Sequence, residues 1–582
     1  MSGICGYVGP GDPNVLDLML AAIRYRGDKT HTAYSDNVGL GYRWWGGRPG
    51  KAPGVHTDGL HLVACAGTLA PPAANPAAAL LERLRAPTPR LDDLDGAFAC
   101  ACWDGKRMTL LRDPFGVRSL YHVRHQGVFY FASELKQLLA VPGLPVEIDL
   151  LAVHKYLTFS FVPGEDVPVR GVRRLLPGRV ATWDGDRLDV RPYFVLDERL
   201  DPELNEPVKA VRFVRKHCRD AVARRLNGEP EVGLYLSGGV DSSGIAWWLK
   251  QAGVKVQAFS LDFGEKSVEL DQARAVAKQL DMPLTTVKVA GEDVAPVLLD
   301  LVWKLDLPFG DPVTGPQYLL GKAAREKGLT AVFNGEGGDQ LFGGWTSKPM
   351  ISAQLYANLY EDDNREDLYL HSYHRFFGLE PQLYSPRFLA ELGPLTGQRR
   401  RELLQTFLHS EHAATFLNRV RLADINLKGS QNILPRMERL ANAWALDARV
   451  PLFDRALAEA SFRLPPQMKL HGACEKYVLK LILQKHLPRE LVWRRKFGMS
   501  VPITDWVLGG LAPAMEALLG PRALAQRGLF RADYVGRLRQ GQNEPNETRR
   551  RRAGERLWTL AMLEGWLRVF IDGRGQRPGG AR

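Results

Sequence analysis

The stretch Leu234-Tyr235-Leu236-Ser237-Gly238-Gly239-Val240-Asp241-Ser242-Ser243 constrains the fold of this 582-residue chain more than any other. The apolar run Val232 to Leu236 predicts a strand that feeds a Ser-Gly-Gly turn, with a helix beginning near Ser242. Glycines let backbone N–H groups turn toward an anion, and a new helix adds its partial positive end. The hydroxyls of Ser237, Ser242 and Ser243 can donate further hydrogen bonds. Asp241 would repel a bare phosphate, so its presence implies a hard divalent cation between the two. Two glycines alone are accounted for by a tight turn, and one Asp by a helix cap. Three serines and an acid packed around them favour a pyrophosphate cradle, though not the common P-loop, since no GxxxxGK[ST] pattern occurs.

From Val208 the sequence alternates helix and strand. A helix to about Leu226 precedes the Ser-Gly-Gly strand, and strands Val256 to Leu261, Leu284 to Val289 and Leu329 to Phe333 follow. Alternation of this kind predicts a parallel, doubly wound sheet with ligands at the carboxyl ends of its strands. At the end of the last strand comes Asn334-Gly335-Glu336-Gly337-Gly338-Asp339, which opens on the same edge. Asp339 is expected to share a Mg²⁺ with Asp241, and Glu336 to project into the same cleft. Beyond about Trp345 the chain reads as mostly helical. A basic loop, Trp493 to Pro502, carries Lys496; alone it reads as a solvated loop, but a fixed lysine there could stabilise charge developing on phosphorus.

Residues 1–195 read differently. Short strands (Gly39 to Tyr42, Leu62 to Cys65, Phe98 to Trp103, Gly127 to Phe131) interrupted by helical pieces predict an α+β sandwich. The polar stretch Leu196 to Pro207 is the expected linker, 205–572 the second domain, and 573–582 a flexible basic tail.

Composition narrows the function class. Hydrophobic residues make up 45% and charged residues 24%, the balance of a globular protein with ample core. No apolar run reaches membrane-spanning length and no export signal precedes the fold, so a cytoplasmic protein without membrane contact is expected. The cysteines form no CxxC pair and read as small buried residues. Net charge is +12, which permits an anionic partner. Arg549-Arg550-Arg551-Arg552, after a polar stretch, reads as a solvated flexible loop, and nothing supports nucleic-acid binding. His371/His374 and His409/His412 read as solvated helix positions.

Together these stretches resemble the asparagine synthetase B family over nearly the whole chain. Further matches are Asp306-Leu307-Pro308-Phe309 with Asp311-Pro312, Arg449 to Asp454, and Leu487-Pro488. In the first half, Arg26-Gly27-Asp28, Leu94 to Phe98, Arg112 to Gly116 and Phe131 to Lys136 match the family's glutamine-hydrolysing domain. The resemblance implies an N-terminal nucleophile-type sandwich, then an ATP-pyrophosphatase-like domain with a helical C-terminal region. It implies an ATP- and Mg²⁺-dependent ligase: a carboxylate attacks the α-phosphorus of ATP, pyrophosphate leaves, and an amine displaces AMP from the acyl-adenylate. Ser237, Gly239, Asp241 and Ser242 carry over as the pyrophosphate loop, with Leu236, Gly238, Leu261, Glu269 and Gly335 as further nucleotide-binding positions. Asp241 and Asp339 carry over as Mg²⁺ ligands, and Lys496 and Glu336 as catalytic residues.

The departures point to a changed amine source. The family's glutaminase uses a cysteine at position 2, where this chain has Ser2; Cys5 is displaced. The family's Asn-Gly-Glu glutamine grip reads Ala66-Gly67-Thr68, and the Pro/Ala-rich segment Leu69 to Leu91 is short. The glutaminase is therefore expected to be inactive. Members lacking it resemble β-lactam synthetases and lasso-peptide cyclases. The ring-closing class is favoured here, with the lasso cyclase first on Glu336, chain length and the helical region. An ammonia-dependent asparagine synthetase follows, because bulky Trp444 and Leu446 near Arg449 count against an unchanged aspartate pocket. A non-catalytic scaffold comes last. The expected partners are a peptide or small amino-acid-derived carboxylate, a peptide-delivering protease or leader-binding protein, and, as an open alternative, a second copy of the chain.

Overall fold

The computed structural model describes residues 2–46, 54–86, 89–267, 269–344, 365–393, 396–494, 501–541 and 544–579. Two six-stranded antiparallel sheets form the N-terminal domain, residues 2–192. One runs in the spatial order Arg173–Arg174, Tyr121–His125, Val128–Ala132, Ser2–Val8, Val38–Trp44, Lys29–Ser35. The other runs Leu188–Pro192, Arg179–Trp183, Met108–Arg112, Gly96–Trp103, Leu62–Leu69, Val55–Thr57.

Period-two patterning makes them a sandwich. Ile4, Leu40, Phe129 and Phe131 of the first sheet meet Ala64, Ala66, Ala99, Ala101 and Leu110 of the second. Alternate residues face outward under helices: Val63, Cys65, Cys100 and Cys102 pack with Leu80 and Leu81 of helix Pro76–Arg85. On the other side, Cys5 and Tyr7 pack with Leu16, Met19 and Leu20 of helix Val15–Ala21. The cysteines are free, and all but Cys474 are buried.

Leu196 to Pro207 is an ordered crossing rather than a loose linker. Leu196 and Leu204 are buried in the core of the second domain, and Pro202–Asn205 forms a 3₁₀ turn. Pro207 then occupies the first turn of helix Pro207–Leu226, where its missing N–H costs nothing.

The second domain holds a five-stranded, wholly parallel sheet in the order Leu284–Lys288, Lys255–Asp262, Glu231–Tyr235, Ala331–Phe333, Asp447–Arg449. The chain leaves Glu231–Tyr235 toward one edge, then returns to build the other. The switch point, where ligands bind in such sheets, thus lies between Glu231–Tyr235 and Ala331–Phe333. Strand Asp447–Arg449 carries no sequence signal, being only three residues long and charged at both of its ends.

Two expectations are corrected. Arg549 to Arg552 form the first turns of helix Glu547–Trp566, begun by the Asn546 side chain accepting the Arg549 N–H. Residues 573–579 are not a free tail: the Trp303 indole N–H donates to Gly575 O, Arg574 to Leu144 O, and Arg577 pairs with Asp300. No described helix is long and apolar enough to cross a membrane.

Candidate active site

Strand Glu231–Tyr235 delivers Ser237 to Gly239 to the switch point, and Gly239 caps helix Val240–Gln251. Gly238 turns the chain at φ +70°, a conformation L side chains rarely adopt. Hydroxyls tie the loop together. Ser242 Oγ accepts the Ser237 N–H at 3.2 Å and donates to Gly239 O at 3.2 Å, while Ser237 Oγ accepts the Gly239 N–H at 3.3 Å.

The second loop lies against the first. A Cβ at Gly335 would run into the Ser242 amide, and one at Gly338 into the Asp241 carboxylate, so glycine is required at both contacts. Asn334 shapes the turn: its amide donates to Arg449 O at 3.2 Å and its Oδ1 accepts the Glu336 N–H at 3.0 Å.

A cavity of about 530 Å³ opens between the loops. It is lined by Leu236, Ser237, Gly239, Asp241, Ser242, Leu261, Glu269, Gly335, Glu336 and Asp339. Gly238 is the correction: it does not line the cavity, and its part is the turn, packed on Gln272. Ser243 is likewise buried behind the loop. Lys496 lies outside the described residues. Arg494, two residues before it, lines the cavity and donates to Gly238 O at 3.3 Å, so the basic loop starts against the Ser237–Ser242 loop.

Lys476 is the residue that sequence reasoning missed. It caps helix Tyr477–Leu483 in the left-handed region, φ 55°, which aims its side chain back at the two loops. Its ammonium binds Asp241 and reaches Asp339 Oδ1 at 2.8 Å. Burial alone would lower its pKa, but the two carboxylates outweigh that and hold it firmly protonated. Asp241 and Asp339 therefore converge on one cationic point, the Lys476 ammonium. Asp241 Oδ1 is buried without a hydrogen-bond partner, a free ligand position. Among the described residues no cluster of three or more His, Cys, Asp or Glu could hold a metal. Two carboxylates fit Mg²⁺ of the kind that keeps waters and takes the rest of its oxygens from substrate phosphates.

The facing wall is charged and largely paired. Asp311 accepts from Arg436 at 2.6 Å. Burial raises its carboxyl, but Arg436 and the Val313 N–H more than offset this and hold it below the usual range. Arg375 pairs with Glu555 at 2.6 Å, and Arg551 and Lys428 complete the wall. Glu336 is pushed up, first by desolvation and then by Asp311 and Asp339, with Arg436 and Lys428 opposing. Trp444 and Leu446 do not line the cavity: Leu446 is in the core and Trp444 packs on Tyr318, ring centroids 4.9 Å apart. The bulk expected to alter a substrate pocket instead fills space behind it.

In the N-terminal sandwich, Ser2 Oγ accepts the Gly67 N–H at 3.0 Å. Ala66 faces the inter-sheet core. Cys5 is fully buried among apolar side chains, and burial pushes its thiol well up, so it is a core residue and not a displaced nucleophile.

The family model described as Asparagine synthase matches residues 214–568, and that of a Glutamine amidotransferase domain matches residues 85–194. The chain is 26% identical over 513 residues to asparagine synthetase [glutamine-hydrolyzing] 1 of Bacillus subtilis, covering 83% of this chain and 78% of the relative. It is 27% identical over 438 residues to asparagine synthetase [glutamine-hydrolyzing] 3 of the same organism, covering 70% and 67%. Amidase chyE of Penicillium rubens is 31% identical over 276 residues, 44% of this chain and 40% of that protein.

Proposed function

The chain belongs to the asparagine synthase family, whose members are ATP-dependent, AMP-forming carbon–nitrogen ligases, and from that premise we propose that it joins an adenylated carboxylate to an amine not released from glutamine. The observation that carries this is the contrast between the cleft where Asp241, Asp339 and Lys476 meet and the pocket that has Ser2, Ala66 and Thr68 where the family's glutaminase has cysteine, asparagine and glutamate.

In this reading the Ser237–Ser242 loop binds pyrophosphate through its amides and hydroxyls. Asp241 and Asp339 would hold Mg²⁺, which would supply positive charge against the phosphates. Lys476, released from those carboxylates, faces the polyphosphate. Leu261 and Glu269 contact the nucleoside. Glu336, its carboxyl raised by burial, stands where the entering amine must lose a proton. Arg494 starts the loop carrying Lys496, which stabilises the pentavalent phosphorus.

The finer proposal is ring closure: with no ammonia delivered from glutamine, an amine on the substrate itself attacks the adenylate, giving a lactam or a lasso-type macrolactam, with the peptide presented by a protease or leader-binding protein. A second reading, an ammonia-dependent asparagine synthetase, is favoured by the position of Trp444 behind the cleft, which leaves room for aspartate. Incubation with Mg-ATP and each substrate, followed by mass spectrometry, separates them. AMP with loss of one water from a peptide supports ring closure; AMP with a decrease of about one dalton in aspartate supports the second reading. ADP in place of AMP sinks both.

A further inference from the structure

The junction between the two domains sets a cluster of buried charges among shared apolar contacts, in which Leu135, Leu138 and Tyr156 share one core with Trp303, Leu305 and Trp566. Arg26 forks onto Glu438 at 2.7 and 3.0 Å and also binds Glu134. Arg118 binds the same Glu438 and reaches Asp447 at 3.3 Å. Arg439 pairs with Glu134 at 2.8 Å, and Lys136 with Asp306 at 3.1 Å. Every one of these side chains is under a tenth exposed. Replacing such a network by apolar residues is often neutral or stabilising, so stability alone is a poor reason for it; fixing one register is a better one.

Both targets of the arginines lead into the cleft. Glu438 sits on helix Leu434–Ala443, one half-turn from Arg436, which holds Asp311 on the cleft wall. Asp447 sits on strand Asp447–Arg449, whose Arg449 carbonyl accepts the Asn334 N–H; the Asn334 side chain then fixes Glu336. We propose that the N-terminal domain serves this ligase as a positioning element, in which Arg26 and Arg118 hold Glu438 and Asp447 and so set the Arg436–Asp311 pair and Glu336 on the cleft wall that receives the substrate. Neither arginine lines the cavity, so each acts through the helix and the strand. The domain is thereby needed for a reaction to which it contributes no chemistry. The kinetic part of this inference rests on the adenylation reading.

Arg26→Met alone strands a buried carboxylate and will lower Tm, so the decisive protein is the full-length triple variant Arg26→Met/Arg118→Met/Glu438→Met, in which no junction charge is left unpaired at Glu438. Its Tm is expected to return toward wild type. Amide exchange in residues 334–339 is expected to accelerate about tenfold or more, and AMP release to fall up to about a hundredfold, the size of effect that small misplacement of a site produces. The loss should appear in kcat and in KM for the carboxylate more than in KM for ATP, and Arg26→Lys should restore part of it. Wild-type exchange at 334–339 together with wild-type carboxylate kinetics in the triple variant would overturn the proposal. If wild type releases no AMP with any carboxylate, the adenylation reading fails instead, and exchange at 334–339 alone decides whether the junction sets the loop.

Discussion

The pocket around Ser2 and the cleft around Asp241 belong to one chain but present different groups. In the cleft, two glycine loops touch at Gly335 and Gly338, and three charged groups, Asp241, Asp339 and Lys476, meet at one point. In the pocket, the Ser2 hydroxyl is engaged with the Gly67 amide, and Ala66 faces the core where a polar grip is needed. The N-terminal residues that do keep family-like motifs, Arg26 and Glu134, face the other domain. The difference teaches that the charged surface of the N-terminal domain is committed to its neighbour, independently of what its own pocket does.

The comparison breaks first in the cleft. Asp241→Asn and Asp339→Asn should each cut AMP release by about a hundredfold or more, since each removes a charge that positions the polyphosphate; retention of half the wild-type rate, in a quench-flow or coupled AMP assay, would remove these carboxylates from the mechanism. Gly335→Ala should cost about tenfold or more in kcat through collision with the Ser242 amide, read with a parallel Tm measurement to show that the domain still folds.

Next comes the junction. Arg26→Met should destabilise the protein by about 3–5 kcal/mol, the usual effect of removing one partner of a buried pair. Its pH dependence has a definite sign. Burial raises the Glu438 carboxyl, but Arg26 and Arg118 more than offset this and bring it to about 2. A carboxylate depressed on folding contributes stability above its unfolded pKa of about 4.5 and loses it as pH falls toward 2. The Tm gap between wild type and Glu438→Gln should therefore be widest above about pH 5 and narrow as the solution is acidified. A gap that widens in acid contradicts the assignment. The smallest effect belongs to the pocket: Ser2→Ala should leave AMP release unchanged, and any loss beyond twofold would show that the pocket still works.

Much of the site was legible because its chemistry is local. Ser237 to Ser242 and Asn334 to Asp339 each announce an anion site within a few residues, and strand–helix alternation brings them to one edge. Lys476 was not legible: a lone lysine before an apolar helix reads as surface, and only the left-handed turn at that position sends it inward. Strand Asp447–Arg449 was missed because three residues carry no period, and it exists only by pairing with Ala331–Phe333. The arginine run at 549–552 was misread because a charged first helical turn looks like a loop until its Asn546 cap and the apolar face beyond Leu557 are seen together.

One measurement tests the central contrast most directly. With Mg-ATP, a competent carboxylate, a free amine and glutamine all present, AMP and glutamate are counted in the same reaction. A working cleft beside a silent pocket predicts AMP in step with amide product and no glutamate above the uncatalysed background. Glutamate released in step with AMP would contradict it.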